Sequence, residues 1–240
     1  NDNHPDIVTA NNGTSGPRKY GMNILIGSGD GSFATPQYFD AGVAPYYVVA
    51  DDLNRDDNLD LVVLNSNNRE ISILLGAGTG TFSATTSLFG EGNTWNDQAP
   101  PEVSTTDFNG DEIPDVLIST EGLSGARVYP GQGDGTFGSP SDYTEHPTPG
   151  GIPLPLHAAT PVDFNNDGLA DFAFARPTAH VQISLGTAVP FATHAIDSEV
   201  DRARDVFAID VDNDGDMDVV SAADHSGTIS WHENNGNQQF

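Results

Sequence analysis

The chain has 240 residues, enough for one domain with a sizeable core or for several small repeats. Its 35 acidic and 8 basic residues give a net charge of −27, which would repel nucleic acid and anionic membranes and argues against both as partners. There is no cysteine, which excludes disulfides and thiolate metal sites, and 26 glycines with 16 prolines favour short strands and turns over long helices.

The first feature along the chain is a short acidic segment at residues 2–6, and four longer versions of it follow. The complete versions span nine residues, at 52–60, 107–115, 163–171 and 210–218. Each has aspartate at positions 1, 5 and 9 and asparagine or aspartate at position 3, and residues 2–6 match the last five positions. The recurrence of one pattern about every 50 residues indicates a repeat protein.

A second element follows each acidic segment and consists of a short apolar run, a glycine-rich turn and a phenylalanine. It occupies 24–33, 73–82 and 128–137, with weaker copies at 183–191 and 229–240. Each unit therefore predicts a strand, the acidic loop, a strand, a short turn, a strand, the glycine turn and a final strand. For the second unit, we predict strands near 46–51, 60–65, 70–75 and 82–89.

Five such units divide the chain, at approximately 1–42, 43–98, 99–152, 153–200 and 201–240, within a single domain. Four short strands in a unit of this size are typical of a β-propeller blade. Apolar runs such as 61–64 and 172–175 predict strands that are buried on both faces, as stacked blades require. A β-sandwich would explain the strands but not the fixed period, so we predict an all-β propeller of four-stranded blades.

The acidic loops have the oxygen-rich spacing of a calcium site. Ca²⁺ takes about six to eight oxygen ligands, from carboxylates and carbonyls alike. Side chains at positions 1, 3 and 5 can converge on one ion if the backbone curls around it, position 7 then offers its carbonyl, and the carboxylate at position 9 closes the shell. Turn formation would explain one or two such residues, but not the same four positions in four copies.

We therefore predict about four complete Ca²⁺ sites and one partial site. The predicted ligands of the complete sites are Asp52, Asn54, Asp56, Asn58 and Asp60; Asp107, Asn109, Asp111, Ile113 and Asp115; Asp163, Asn165, Asp167, Leu169 and Asp171; and Asp210, Asp212, Asp214, Asp216 and Asp218. The partial metal site carries Asp2, His4 and Asp6, and this chain alone does not supply its full shell. The loop at 210–218 has the most carboxylates, so we expect it to bind the ion most tightly.

Position 6 is where the predicted loop bends most sharply. Gly168 and Gly215 occupy it in two loops and allow a backbone with positive φ. Asp57 and Glu112 occupy it in the other two, where we expect the same bend to be strained.

The two repeated elements together resemble the FG-GAP/VCBS repeat family, which includes the calcium-loop propellers of integrin α-chains and several fungal and bacterial lectins. Residues 162–172 match its acidic core motif, and residues 75–82 match its glycine–phenylalanine turn. The resemblance covers essentially the whole chain. It implies metal ligands at positions 1, 3, 5, 7 and 9 of each loop.

The ends of the repeat array are incomplete. The first unit lacks its opening strand, the last ends where a fourth strand should begin, and complete family members resemble larger rings. We therefore expect the units either to form part of a larger ring or to be completed by neighbouring chains. An unpaired sheet edge is a template for strand addition, so the second alternative predicts head-to-tail homotypic assembly.

Calcium sites of extracellular modules usually work at about 10⁻⁴–10⁻³ M affinity, which fits secretion better than the cytosol. Bound ions would also substitute for the absent disulfides. We expect an extracellular or cell-surface, non-catalytic module for adhesion or structural interaction, without membrane insertion. Its partner would be a glycan, an extracellular protein or another copy of itself.

Two other functions stay open. A carbohydrate-binding lectin would need an aromatic platform with polar groups beside it, and Trp95 with Asn93 and Asp97 is the candidate. Trp231 lies in a predicted strand, where we expect a core position. A polysaccharide lyase or hydrolase would need a carboxylate pair, and no pair outside the acidic loops stands out.

Overall fold

The computed structural model describes residues 4–13, 20–66, 70–89, 103–120, 125–144, 158–176, 180–185, 192–197, 202–236 and 240. Within these ranges all regular structure is β-strand. The same ranges contain no helix with the length and hydropathy needed to cross a lipid bilayer.

The described strands form five antiparallel sheets, here numbered I to V in chain order. Sheet I contains β1 (Ile7–Asn12), β2 (Tyr20–Leu25) and β3 (Gln37–Phe39); sheet II contains β4 (Pro45–Asp51), β5 (Asp60–Asn65), β6 (Glu70–Gly76) and β7 (Phe82–Phe89); sheet III contains β8 (Val103–Thr106), β9 (Asp115–Thr120), β10 (Gly125–Tyr129) and β11 (Ser141–Thr144); sheet IV contains β12 (Ala158–Val162), β13 (Asp171–Arg176), β14 (His180–Leu185) and β15 (Ala192–Asp197); and sheet V contains β16 (Ala203–Ile209), β17 (Asp218–Ala223) and β18 (Thr228–His232). In every sheet, strands that are consecutive in the chain are neighbours.

The predicted order of elements is confirmed. The four strands of sheet II begin and end within one residue of the predicted positions. Each complete acidic loop joins the first strand of its sheet to the second, and the glycine turns among the described residues follow the next strand. Sheets I and V have three strands each in the described residues, as the incomplete first and last units predicted.

The chain divides into two compact units: residues 1–92 with 131–138, and residues 93–130 with 139–240. The first unit contains sheets I and II, and the second contains sheets III, IV and V.

Successive residues of a strand point to opposite faces of its sheet. In each sheet, one face carries the second residue after position 9 of the acidic loop, and we call it the front face. The opposite face is the back face.

In the first unit, the front face of sheet I packs on the back face of sheet II. Met22 and Ile24 of β2 meet Leu61 and Val63 of β5 in one buried cluster. These four side chains are essentially inaccessible to solvent. Burial of each contributes about 1.5–3 kcal/mol, so the contact between the sheets is a major source of stability.

In the second unit, the front face of sheet III packs on the back face of sheet IV in the same manner. Leu117 and Val128 meet Phe172 and Phe174. Phe108, from the acidic loop of sheet III, lies with its ring centroid 5.0 Å from that of Phe172. Position 2 of this acidic loop is therefore part of the core.

The front face of sheet IV in turn packs on the back face of sheet V. Val181 and Ile183 of β14 meet Val206 and Val219 of β16 and β17. Thr160 adds a hydrogen bond from its hydroxyl to the carbonyl of Val206, at 2.7 Å. The three interfaces within the units thus follow one rule, front face on back face.

This stacking explains the continuous apolar runs in the second strand of each unit. Residues 61–64 and 172–175 are buried along their whole length. Both faces of these strands are covered, so every position is apolar rather than every second one. The predicted burial on both faces is confirmed.

Candidate metal centres

Each acidic loop closes a hairpin between the first two strands of its sheet. In sheet II, Asp51 pairs with Asp60 at the base of the loop, and in sheet V Ile209 pairs with Asp218. The residue before position 1 therefore lies opposite position 9. The register holds the start and the end of each loop together before any side chain of the loop is considered.

The backbone of each loop curls around the side chains at positions 1 and 3. In the loop at 163–171, the two oxygens of Asp163 accept hydrogen bonds from the N–H groups of Asp167 at 3.1 Å and Gly168 at 2.8 Å. Asn165 Oδ1 also accepts from the Asp167 N–H, at 2.9 Å. The other three complete loops repeat these bonds.

Position 5 is held by the N–H of position 7. Asp167 Oδ1 accepts from Leu169 at 2.8 Å, and Asp56 Oδ1 accepts from Asn58 at the same distance. The hydrogen bond from the Asn58 N–H stabilises the charged form of Asp56 and lowers the pKa of that carboxyl group. The backbone N–H of position 7 makes this bond, so the position can carry side chains as different as those of Asn58 and Leu169.

Position 9 has a second role that the sequence did not reveal. Asp60 is buried, and its Oδ2 accepts from the N–H of Leu53 at 3.0 Å while its Oδ1 accepts from Gly76 at 2.8 Å. Burial raises the pKa of Asp60. Asp218 makes the same two kinds of bond, so position 9 anchors the loop in addition to being a predicted ligand.

The predicted bend at position 6 is present in all four complete loops. The φ angles are 65° at Asp57, 65° at Glu112, 85° at Gly168 and 97° at Gly215. Position 4 is also left-handed, with φ of 61° at Arg55, 80° at Gly110, 56° at Asn166 and 63° at Asn213. Two left-handed residues in each loop produce the curl, and only one of them was predicted.

The loop at 210–218 brings three carboxylates together. Ligand oxygens of Asp210, Asp212 and Asp218 all lie within 4.8 Å of one another, and no other group of three acidic or histidine side chains is this close in the described ranges. Partial desolvation, followed by the charges of neighbouring carboxylates such as Asp214, raises the pKa of Asp212. The other complete loops have asparagine at position 3, so an amide oxygen replaces one of these carboxylates. Clustered hard oxygen donors fit Ca²⁺.

Acidic loops of adjacent sheets touch in the second unit. Asn166 Nδ2, at position 4 of the loop in sheet IV, lies 3.3 Å from Asp216 Oδ1, at position 7 of the loop in sheet V. A Cβ on Gly110, at position 4 in sheet III, would lie 3.0 Å from the side chain of Leu169, at position 7 in sheet IV. Position 4 of one loop therefore meets position 7 of the next.

The glycine turns pack against the acidic loops of their own sheets. A Cβ on Gly76 would lie 2.1 Å from the carbonyl oxygen of Leu59, at position 8. A Cβ on Gly78 would lie 2.1 Å from Oδ1 of Asn58, at position 7. The backbone approaches so closely that only glycine fits, which explains why the two repeated elements occur together.

The partial site is described only in part. Asp2 lies outside the described residues, while Asp6 Oδ1 accepts from the N–H of Gly27 at 2.8 Å. This bond matches the one between position 9 and the glycine turn in sheet II. His4 lies exposed beside Gly29, where position 7 is expected.

The candidate glycan residues Asn93, Trp95 and Asp97 lie outside the described residues. The core position expected for Trp231 is wrong, because 48% of this residue is exposed. Trp231 belongs to a strand, as predicted, but it lies on the front face of sheet V, which no other sheet covers in the described residues.

Comparison with known proteins shows which protein family the chain is related to. The family model described as "FG-GAP-like repeat" matches residues 1–63, 52–118, 107–174 and 175–240. These four matches together include every acidic loop. No curated protein sequence matches the chain.

Three solved structures share the fold. A lectin of Agrocybe aegerita that recognises non-reducing terminal N-acetylglucosamine is 19% identical with a TM-score of 0.67, over 99% of this chain and 65% of the lectin chain. BBS1N, solved in complex with ARL6DN, is 9% identical with a TM-score of 0.58, over 98% of this chain and 63% of its own. The Tc holotoxin pore of Photorhabdus luminescens is 16% identical with a TM-score of 0.53, over 94% of this chain and 11% of its own.

At these identities the likeness concerns the fold alone, and the chain spans less than two thirds of each matched chain. The small antiparallel sheets and the repeated loops agree with the fold of these structures. The predicted all-β, β-propeller class is confirmed. The chain belongs to the FG-GAP-like repeat family.

Proposed function

We propose that the chain is a non-catalytic, calcium-binding interaction module of the cell exterior or cell surface. The observation that carries the proposal is the convergence of Asp210, Asp212 and Asp218 in a loop whose hydrogen bonds recur in three others. Carboxylate and amide oxygens at positions 1, 3 and 9 would hold the ion, with position 5 and the carbonyl of position 7 completing the shell. The ion would neutralise charge that the folded loop otherwise concentrates.

Calcium in this arrangement is structural rather than reactive. Positions 1 and 9 connect the ends of the loop, and position 9 also bonds the glycine turn, so an ion held there links three segments of a sheet. An ion that binds only the folded state stabilises it by about 2.7 kcal/mol per site when its concentration is a hundred times the Kd. Weak sites of this type are useful where calcium is abundant, which supports the extracellular location.

Calcium titration tests the proposal. We expect isothermal titration to detect calcium binding, and a chelator to lower the melting temperature by several degrees. Asp212→Asn should weaken the site at 210–218. Asp205→Asn, an exposed position of β16 in the same sheet, is the matched control because it removes the same charge and should leave calcium binding unchanged. Absence of binding heat together with an unchanged melting temperature in chelator would refute the proposal.

Carbohydrate binding is a second candidate for the interaction. It is supported by the similarity to the Agrocybe aegerita lectin, which recognises non-reducing terminal N-acetylglucosamine. Titration with N-acetylglucosamine and with a glycan array would test it, and loss of binding in Trp95→Ala would assign the site. The complex of BBS1N with ARL6DN supports a protein partner instead, and an array without any glycan signal would favour that alternative.

The absence of catalysis is part of the proposal and has its own test. Incubation with a panel of polysaccharides should release no oligosaccharide or unsaturated product. Product formation that a chelator does not abolish would favour a lyase or hydrolase instead.

A further inference from the structure

Asn234, two residues after β18, occupies the position that glycine holds in sheet II. Its backbone N–H donates to the carboxylate at position 9, Asp218, at 2.8 Å. Gly76 makes the same bond to Asp60 in sheet II, and a Cβ on that glycine would lie 2.1 Å from the carbonyl oxygen of Leu59. Sheet V therefore accommodates a side chain at a position where sheet II excludes one.

The side chain of Asn234 is fully buried and bridges two acidic loops. Its Nδ2 donates to the carbonyl oxygen of Met217 at 3.1 Å, at position 8 of the loop in sheet V. The same nitrogen donates to the carbonyl oxygen of Phe164 at 3.0 Å, at position 2 of the loop in sheet IV. Its Oδ1 accepts from the N–H of Gly236 at 3.2 Å. Both donors and the acceptor of the amide are therefore engaged, as burial of an amide requires.

These bonds hold peptide groups that lie next to predicted calcium ligands in both loops. Phe164 lies between Asp163 and Asn165, at positions 1 and 3 of the loop in sheet IV. Its N–H donates to the carboxylate at position 9 of the same loop, at 3.0 Å. In sheet V, Met217 directly precedes the position 9 ligand Asp218. One buried side chain therefore borders ligands of two sites, both within the second compact unit.

A second contact joins the same two loops at the surface. Asn166 Nδ2, at position 4 in sheet IV, lies 3.3 Å from Asp216 Oδ1, at position 7 in sheet V. Asn166 lies between the predicted ligands Asn165 and Asp167. The two loops are thus connected on their buried and on their exposed side, so the conformation of one restricts the conformation of the other.

We propose that Asn234 is a positioning residue shared by the calcium sites of sheets IV and V, so that occupation of one site raises the affinity of the other. The inference rests on the proposed calcium function, and the all-oxygen donor sets of both loops fit Ca²⁺. A loop that is fixed around its ion keeps its carbonyl in place for Asn234, so the neighbouring loop needs less ordering when it binds. The effect is reciprocal between the two sites. Repulsion between two bound ions has the opposite sign, so the direction of the effect decides between the two.

Two-dimensional NMR can follow the two sites separately. Among the complete loops, position 6 is glycine only in sheets IV and V, so the amide signals of Gly168 and Gly215 report one site each. Their N–H groups donate to the position 1 carboxylates, at 2.8 Å and 3.1 Å. Asp167→Asn weakens the site in sheet IV. This substitution should raise the calcium concentration at the midpoint of the Gly215 shift at least about fivefold.

Asn234→Gly supplies the residue type that sheet II has at this position, so it keeps the backbone N–H for Asp218 and removes only the bridge. In this background, Asp167→Asn should leave the midpoint of the Gly215 shift unchanged. The change of charge is the same in both backgrounds and cancels in the comparison. Asn213→Gly, in the loop of sheet V and without a bond to sheet IV among the described residues, should keep the fivefold effect. Circular dichroism checks folding, and Asn234→Ala replaces Asn234→Gly if that variant does not fold.

The outcomes separate this inference from the function on which it rests. If neither glycine signal responds to calcium, the proposed calcium function fails and the inference fails with it. If both signals respond, the calcium function stands. The shared role of Asn234 is then overturned if Asp167→Asn does not move the Gly215 midpoint to higher calcium, or if it moves that midpoint equally in the Asn234→Gly background.

Discussion

The backbone N–H of Gly76 donates a hydrogen bond to Oδ1 of Asp60 at 2.8 Å, which joins the turn after β6 to the last residue of the acidic loop. Oδ2 of the same carboxylate accepts from Leu53, at the start of that loop. Asp218 repeats the arrangement with Asn234. One buried carboxylate therefore fixes the two ends of the loop and the following turn, so the acidic loop and the glycine turn form a single structural piece.

Replacement of Gly76 should disturb this piece more than replacement of a glycine that only adopts a left-handed backbone. The Cβ of Gly76→Ala would lie 2.1 Å from the carbonyl oxygen of Leu59, and relief of that clash must move backbone. We expect a loss of about 2–3 kcal/mol in the free energy of unfolding, measured by urea denaturation. Gly31→Ala is the control, because φ there is 88° and nothing lies within 4 Å, so only about 1 kcal/mol of strain is expected. Equal losses would contradict the role of close approach.

The anchoring role of Asp60 can be separated from its predicted role as a ligand. In the presence of a chelator, Asp60→Asn should still lower the free energy of unfolding by about 1–3 kcal/mol, because an amide can accept only one of the two N–H bonds. Asp56→Asn, at an exposed position of the same loop, should cost less than about 0.5 kcal/mol under these conditions. If Asp60→Asn has no effect without calcium, the carboxylate serves only the ion.

The features that sequence reasoning could predict are those with a local signature. The strands of sheet II follow from apolar runs between turns, and the bend at position 6 follows from Gly168 and Gly215. The bend at position 4 was missed although Gly110, Asn166 and Asn213 occupy it in three of the four loops and are residue types that favour a left-handed backbone. Ala44 has φ of 59° just before β4, and this bend could not be predicted because alanine does not favour a left-handed backbone.

Other features depend on contacts between distant segments and have no local signature. The apolar pattern of β18 is that of a core strand, and only the sheet that would cover it decides whether Trp231 is buried. The restriction at Gly76 comes from Leu59, which is distant in sequence and approaches only in the folded sheet. A repeated glycine could be recognised as a turn residue, but the atom that excludes a side chain could not be named.

The left-handed bend at position 6 predicts a stabilising substitution. Glu112 has φ of 65°, which costs a residue with a Cβ about 1–2 kcal/mol, and glycine avoids that cost at the expense of greater freedom in the unfolded chain. We expect Glu112→Gly to raise the free energy of unfolding by about 0.5–1 kcal/mol, measured by thermal denaturation. The reverse exchange at the matching position, Gly168→Ala, should lower it by about 1 kcal/mol. A loss of stability in Glu112→Gly would mean that the glutamate side chain contributes more than the strain costs.

The carboxylate cluster at 210–218 predicts opposite effects of pH with and without calcium. In chelator, Asp212 has a pKa raised above its ordinary 3.8 by desolvation and by the neighbouring charges of Asp214 and Asp218. A raised pKa in the folded state means that protonation favours folding, so this contribution is present at acid pH and is lost as the pH rises through the folded pKa. With calcium present, protonation displaces the ion, and stability should instead fall as the pH is lowered through the same range. Melting temperatures across that range, with Asp212→Asn as the variant that lacks the titrating group, measure both slopes. If the two slopes have the same sign, these carboxylates are not the groups that bind the ion.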